Sequence, residues 1–221
     1  MSGVYAQALA QARAELALLP LEVIRQSSGA SLEGERRLEL SLLDRKVVVS
    51  YPGGVVYVDG RPAALGEELL TLHYLARAAG PMPFAEPARY EGLPGASAYA
   101  GAFARRAEAP LAACFASDPG AVREALAGLG AEPARDGQEE GVWRLNFFPY
   151  LPLGLRLDLA GEGLPASCSV LFARRAAFLH HVEDLAVAGE LLSARLRSMT
   201  GAQASDILYT DSPNTRNTLG D

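Results

Sequence analysis

The segment from Leu65 to Gly80, LGEELLTLHYLARAAG, constrains the fold most, because it predicts a helix that is apolar on nearly every side. Five of its residues recur at helical spacing and form one apolar stripe: Leu65, Leu69, Leu72, Ala76 and Ala79. Leu70 and Tyr74 lie opposite that stripe, and a helix of this kind is normally buried by its neighbours. Gly80 and Pro81 end it. We therefore expect the rest of the chain to pack around a central helix over residues 65–79.

His73 is the one ionisable residue well inside this helix. Its position, to the side of the apolar stripe, is compatible with two roles. The ring either hydrogen-bonds a backbone carbonyl as a half-buried structural residue, or it binds a ligand or transfers a proton.

The segments on either side alternate between helical and strand patterns. They are an opening helical hairpin (3–28), a meander of short strands (35–58), a proline-rich strap (80–96), helices (97–129), strands (142–172), a last helix (183–200) and a polar tail (203–221). The order predicts a single α+β domain over residues 1–202. Its core is a largely antiparallel sheet of about six strands, packed by the central buried helix and the C-terminal helix.

Composition excludes several classes of protein. A net charge of −6 without a cluster of lysines argues against a nucleic-acid partner. No apolar run reaches the roughly 18 residues of a membrane helix, and no signal peptide opens the chain, so a cytoplasmic location is expected. Cys114 and Cys168 are too few for a zinc or iron–sulfur site held by this chain alone. No phosphate-binding loop or hydrolase motif occurs, so the cofactor is unknown and none is implied.

The most chemically suggestive local group is His180, His181, Glu183 and Asp184. These residue types bind zinc or a harder divalent ion, and His180, His181 and Asp184 are the metal-ligand candidates. The alternative is that the two carboxylates are charges at a helix N-terminus and the histidines belong to a surface loop.

A second candidate site would combine His73 with Arg89, Tyr90 and Tyr99 around the strap. Such a pocket would offer an arginine for an anionic group and aromatic walls. The alternative is that the tyrosines are core residues.

Five strings resemble, in order, a prokaryotic family catalogued as domain of unknown function 3786: YLARAAG with its strap, APLAACF, FFPYLPLGLRLDL, VLF and VEDLAVAGELL. The resemblance runs from the opening helices to the last one. It implies an uncharacterised domain typical of anaerobic bacteria and archaea, joined in some members to a cysteine-rich iron–sulfur segment. This chain lacks that segment. It also carries residues 161–163 (Gly-Glu-Gly) and Ala173 where the family tends to be acidic, which weakens any site built on carboxylates.

Three functional hypotheses follow, and the sequence does not decide whether the protein is an enzyme. The first is a non-catalytic ligand- or partner-binding accessory module in anaerobic redox or cofactor metabolism, with an iron–sulfur or redox protein as partner and its site near His73 and the strap. The second is a metal-assisted hydrolase or lyase using His180, His181 and Asp184. The third is a homodimer whose interface is formed by the surplus of apolar residues.

Overall fold

The computed structural model describes residues 3–134, 141–161 and 164–201. The chain opens with two helices, α1 (Gly3–Ala17) and α2 (Leu21–Ser28). Pro20 lies between them in an extended conformation. Gly29, with a φ of 73°, ends α2 in the left-handed region that glycine adopts without strain. The tail expected at 203–221 lies outside the described residues, as do positions 162 and 163 of the Gly-Glu-Gly string.

The first sheet is an antiparallel meander of five strands. The strands are β1 (Ser31–Leu32), β2 (Arg37–Leu42), β3 (Arg45–Ser50), β4 (Val55–Val58) and β5 (Arg61–Pro62). Alternation along β2 buries its leucines while Arg37 and Ser41 stay exposed. Asp59 and Gly60 join β4 to β5 with φ angles of 51° and 76°, as a tight hairpin turn requires.

The central helix α3 (Leu65–Arg77) is buried, but not through the predicted stripe. Its buried residues are Leu70, Thr71, Leu72, Tyr74 and Leu75. Of the five stripe residues only Leu72 is buried and Ala79 is exposed, so the buried residues are spread around the helix, as expected of a helix that is apolar on nearly every side. The reason is that α3 contacts α1, α2, β4 and a later helix, which surround it on several sides.

A helical layer begins within the strap. Two short 3₁₀ turns (Tyr90–Gly92 and Ala96–Ala98) lead to α4 (Ala100–Phe103), and a π-helical turn (Ala104–Glu108) joins α4 to α5 (Ala109–Ser117). Helix α6 (Pro119–Gly128) begins where Asp118 accepts a hydrogen bond from the backbone N–H of Ala121. This aspartate and the following proline are the helix start expected from the sequence.

The second sheet also has five antiparallel strands, in the order β6-β10-β9-β8-β7. They are β6 (Pro87–Arg89), β7 (Glu132–Pro133), β8 (Val142–Phe148), β9 (Leu151–Asp158) and β10 (Ser167–Ala173). Strand β6 lies within the strap, which was predicted to contain no strand. It is an edge strand, where proline is tolerated because one side of the strand needs no ladder hydrogen bond.

A short helix α7 (Ala176–Leu179) precedes the last helix α8 (Val182–Met199), which packs on α3, α5 and α6. The prediction of a single α+β domain with antiparallel sheet, a buried central helix and a C-terminal helix is confirmed. Instead of one sheet of about six strands, the described residues form two sheets of five. The backbone N–H of Leu43 bonds the carbonyl of Phe147 at 2.8 Å, joining the two sheets. None of the described helices is both long enough and apolar enough to cross a bilayer.

Candidate functional site

All three histidines of the chain lie near the first turn of α8, although His73 belongs to α3. The His73 Nδ1 atom is 2.9 Å from Oδ2 and 3.0 Å from Oδ1 of Asp184, which is 111 residues away in sequence. We call His73, His180, His181 and Asp184 the histidine cluster. The sequence predicted two separate groups of candidate residues. The histidine cluster contains His73 from one group and His180, His181 and Asp184 from the other.

Asp184 determines which nitrogen of the His73 ring is bonded within the fold. An ionised carboxylate only accepts hydrogen bonds, so Nδ1 carries the proton and donates it to Asp184. The Nε2 atom has no hydrogen-bond partner among the described residues. The side chains of His73 and Asp184 are 16% and 10% exposed, so the ring is held firmly but still reaches solvent. The backbone-carbonyl role considered for His73 does not occur, because the carboxylate takes that place.

His180 and His181 are adjacent in sequence but have opposite surroundings. The ring of His180 stacks on Tyr74 with centroids 5.9 Å apart and is only 7% exposed. Burial lowers the pKa of His180 to about 4, although the charge of Asp184 acts in the other direction. His181 is exposed, and its ring meets that of His73 edge-on at 5.5 Å. His73 and His181 are therefore the two imidazoles available at the surface.

Two further charges border the cluster. Arg77 lies one turn after His73 on α3, and its Nη2 atom is 3.4 Å from Oε2 of Glu15 on α1. The pKa of Glu15 is lowered, first by a hydrogen bond from Gln11 and then by the charges of Arg77 and His73. The site thus lies where α1, α3 and the start of α8 meet.

An exposed aromatic residue lies just before the cluster in the chain. Phe178, in α7, is 73% exposed, and Arg174 and Arg175 are exposed beside it in sequence. Large exposed aromatic side chains are enriched in protein interfaces. Phe178 and Arg77 are not recognisable as site residues from the sequence, because neither belongs to a local motif.

The pocket predicted from His73, Arg89, Tyr90 and Tyr99 does not form. Within the described ranges, no hydrogen bond, ion pair or ring contact joins His73 to the other three. Tyr90 is fully buried and stacks on Phe103 at 4.4 Å, and burial raises its pKa to about 12. Its hydroxyl donates to the carbonyl of Val182 at 3.3 Å, which brings it to the same helical turn as Asp184.

The other two members of that predicted pocket are bound elsewhere. Arg89 pairs with Glu91 at 3.1 Å and lies 3.8 Å from Glu108. The Tyr99 hydroxyl donates to Glu190 at 2.8 Å and accepts from Arg106 at 2.6 Å. Tyr90 and Tyr99 therefore have the alternative role considered for them, which is packing in the protein core or against it.

The metal candidates His180, His181 and Asp184 are not all directed to one point, because the His180 ring lies against Tyr74. Across the described part of the chain, no group of three or more histidine, cysteine, aspartate or glutamate side chains is arranged to hold a metal ion.

Comparison with known proteins adds one result. The model of a family described as "Domain of unknown function (DUF3786)" matches residues 20–195, which include every member of the histidine cluster. No curated protein and no solved structure matches the chain.

Proposed function

We propose that the chain, which belongs to the family of the domain of unknown function (DUF3786), is a non-catalytic binding module whose contact surface is the histidine cluster. The observation that carries the proposal is the bond between His73 and Asp184. It joins residues from distant parts of the chain, orients one imidazole and leaves its Nε2 atom available.

The surroundings favour binding. Exposed His181 offers an imidazole beside the oriented His73 ring, and exposed Phe178 precedes the cluster by two residues in the chain. Aromatic residues such as phenylalanine are enriched in the buried core of protein interfaces.

We further propose that the module serves anaerobic redox or cofactor metabolism in the cytoplasm. The support is the resemblance to family members that are joined to a cysteine-rich iron–sulfur segment. The present chain would then meet an iron–sulfur or other redox protein as a separate partner, because its own two cysteines do not form such a segment.

The test is purification of the tagged protein from an anaerobic prokaryotic host, followed by an ultraviolet–visible spectrum, elemental analysis and quantitative mass spectrometry. His73→Asn is the informative variant, since the asparagine amide can still donate to Asp184 but Nε2 is lost. Phe178→Ala removes the exposed ring, and Leu164→Ala, at a residue 72% exposed, is the matched control. We expect one stoichiometric ligand or partner with the unaltered chain and with Leu164→Ala, and at least about a tenfold loss with the other two variants. Equal recovery with all four proteins, or no bound component at all, would contradict the proposal.

A second candidate function, a metal-assisted hydrolase or lyase, is favoured by one observation. A carboxylate behind an imidazole is the arrangement that orients a histidine as a general base. His73 would be that base. His181 and Asp184 would remain from the predicted metal set of His180, His181 and Asp184, so a metal ion would have at most these two protein ligands among the residues that the structure describes. A stoichiometric divalent ion that is lost in His181→Ala would support this candidate over the first.

The homodimer stays a third prediction. Size-exclusion chromatography with light scattering measures the mass directly. A dimer that persists in Phe178→Ala would place its interface away from the histidine cluster.

A further inference from the structure

A glycine in the middle of the second sheet allows the strap to lie on that sheet. Gly154 is in the interior of β9, the central strand, and pairs with Leu171 on one side and Arg144 on the other. A Cβ atom at this position would lie 2.4 Å from Cζ of Phe84 and 3.2 Å from Cβ of Leu171. Glycine inside a strand marks a place where another group approaches closely. Here that group is the ring of Phe84, from the strap.

The Phe84 ring forms one wall of a cleft of about 580 Å³. Met82 from the strap, Pro133 from β7 and Pro152 from β9 add apolar surface to it. The polar lining comes from Glu132, Arg144 and Asn146. The cleft is open to solvent and combines apolar walls with a few polar groups, the combination found in small-molecule sites.

The Arg144 side chain is positioned by the same ring. Its guanidinium carbon is 5.4 Å from the centroid of Phe84, the geometry of a cation–π contact. A guanidinium has five N–H donors in a rigid fork, so it can bind a carboxylate in addition to contacts that it already makes. Asn146, an exposed neighbour on β8, can both donate and accept.

We propose that this cleft binds a small carboxylate with an apolar body. The carboxylate pairs with Arg144, and the apolar body packs on Met82 and Pro152. Two kinds of ligand share this chemistry, a simple monocarboxylate and an α-amino acid, and Glu132 separates them. Its carboxylate, opposite Arg144 in the register of β7 and β8, would bind the ammonium group of an amino acid and repel a second negative charge. None of the residues that line the cleft belongs to the histidine cluster, so this site is independent of the function proposed above.

Isothermal titration calorimetry with the full chain tests the proposal, using millimolar 3-phenylpropanoate, L-phenylalanine and the neutral 3-phenylpropanamide. We expect at least one of the two carboxylates to bind and the amide to bind at least about tenfold more weakly. Arg144→Met keeps the apolar stem of the side chain and should weaken carboxylate binding by about tenfold or more. Arg174→Met, at an exposed arginine that does not line the cleft, should leave it unchanged.

Two further variants separate the steps of the argument. Gly154→Ala keeps the Arg144 side chain but displaces Phe84, the ring that positions it, and should also weaken binding by about tenfold. Glu132→Gln should weaken L-phenylalanine alone if the ligand is an amino acid, and should leave or improve phenylpropanoate binding if it is a simple carboxylate. The proposal is overturned if neither carboxylate binds, if the amide binds equally well, or if Arg144→Met has no effect.

Discussion

The buried ring of His180 predicts a defined dependence of stability on pH. The ring lies between Tyr74 and the first turn of α8, and burial lowers its pKa from the usual 6.5 to about 4. The charge of Asp184 raises the pKa, and those of Arg77, His181 and His73 lower it further, so burial remains the main cause. The folded protein therefore keeps this ring neutral under conditions in which the unfolded chain protonates it.

The sign and the size of this pH dependence follow from the difference in proton binding between the unfolded chain and the folded protein. Between pH 6.5 and about 4 the unfolded chain binds a proton at this residue and the folded protein does not. The free energy of unfolding therefore falls as the pH falls through that window, and His180 adds no slope above it. A pKa difference of about 2.5 corresponds to about 3 kcal/mol, a large part of the stability of a typical domain.

Urea unfolding at pH 7 and at pH 4.5 measures this loss. His180→Phe keeps a flat ring against Tyr74 and cannot take up a proton, and His181→Ala changes an exposed imidazole as the control. Between the two pH values the unaltered protein and His181→Ala should lose about 2 to 3 kcal/mol more than His180→Phe. Carboxylates with lowered pKa values, such as Glu15 and Asp44, also weaken the fold in acid, but they do so in all three proteins. The same pH dependence in His180→Phe and in the unaltered protein would refute the reasoning.

Three further changes have expected outcomes. Tyr74→Phe removes a buried hydroxyl that donates to the carbonyl of Ser28 at 2.7 Å and accepts from the Tyr150 N–H at 3.0 Å. This change should lower the free energy of unfolding in urea by about 2 kcal/mol. A loss below about 0.5 kcal/mol would mean that a water molecule replaces the deleted hydroxyl. Gly189→Ala places a Cβ atom 2.6 Å from the Phe103 ring. This change should lower the free energy of unfolding by about 1 to 3 kcal/mol, visible as a lower Tm. An unchanged Tm would show that the Phe103 ring can move. Asp44→Ala breaks a pair with Arg195 whose side chains are 29% and 35% exposed, so the loss in urea should stay below about 1 kcal/mol and shrink with added salt. A larger loss that ignores salt would contradict that expectation.

Local patterns were sufficient for the elements of the fold. The alternation of Leu38, Leu40 and Leu42 predicts β2, and Asp118 with Pro119 predicts the start of α6. Each of these signals depends on residues that are close together in the sequence. The strands of two or three residues were harder, because β1, β5, β6 and β7 are too short to show a period.

The division into two sheets was not predictable by the same means. It depends on which strands pair across long stretches of chain, such as β6 with β10. The same limit applies to the candidate site. His73 and Asp184 were each identified as notable, but their contact spans 111 residues, and one sequence contains no signal for such proximity. Tyr90 and Tyr99 were misassigned to a pocket because an aromatic residue near prolines has the same local appearance whether it lines a cavity or fills the core.

The contact between α3 and α8 also sets an order of events during synthesis. The partner of His73 follows it by 111 residues, which take about 5 to 20 seconds to add at ordinary rates of translation. Until then the side of α3 that α8 covers has no partner within the chain. A nascent chain or a fragment that ends before residue 182 would present that uncovered helix to chaperones and proteases. The burial of α3 is therefore complete only after the last helix has been synthesised.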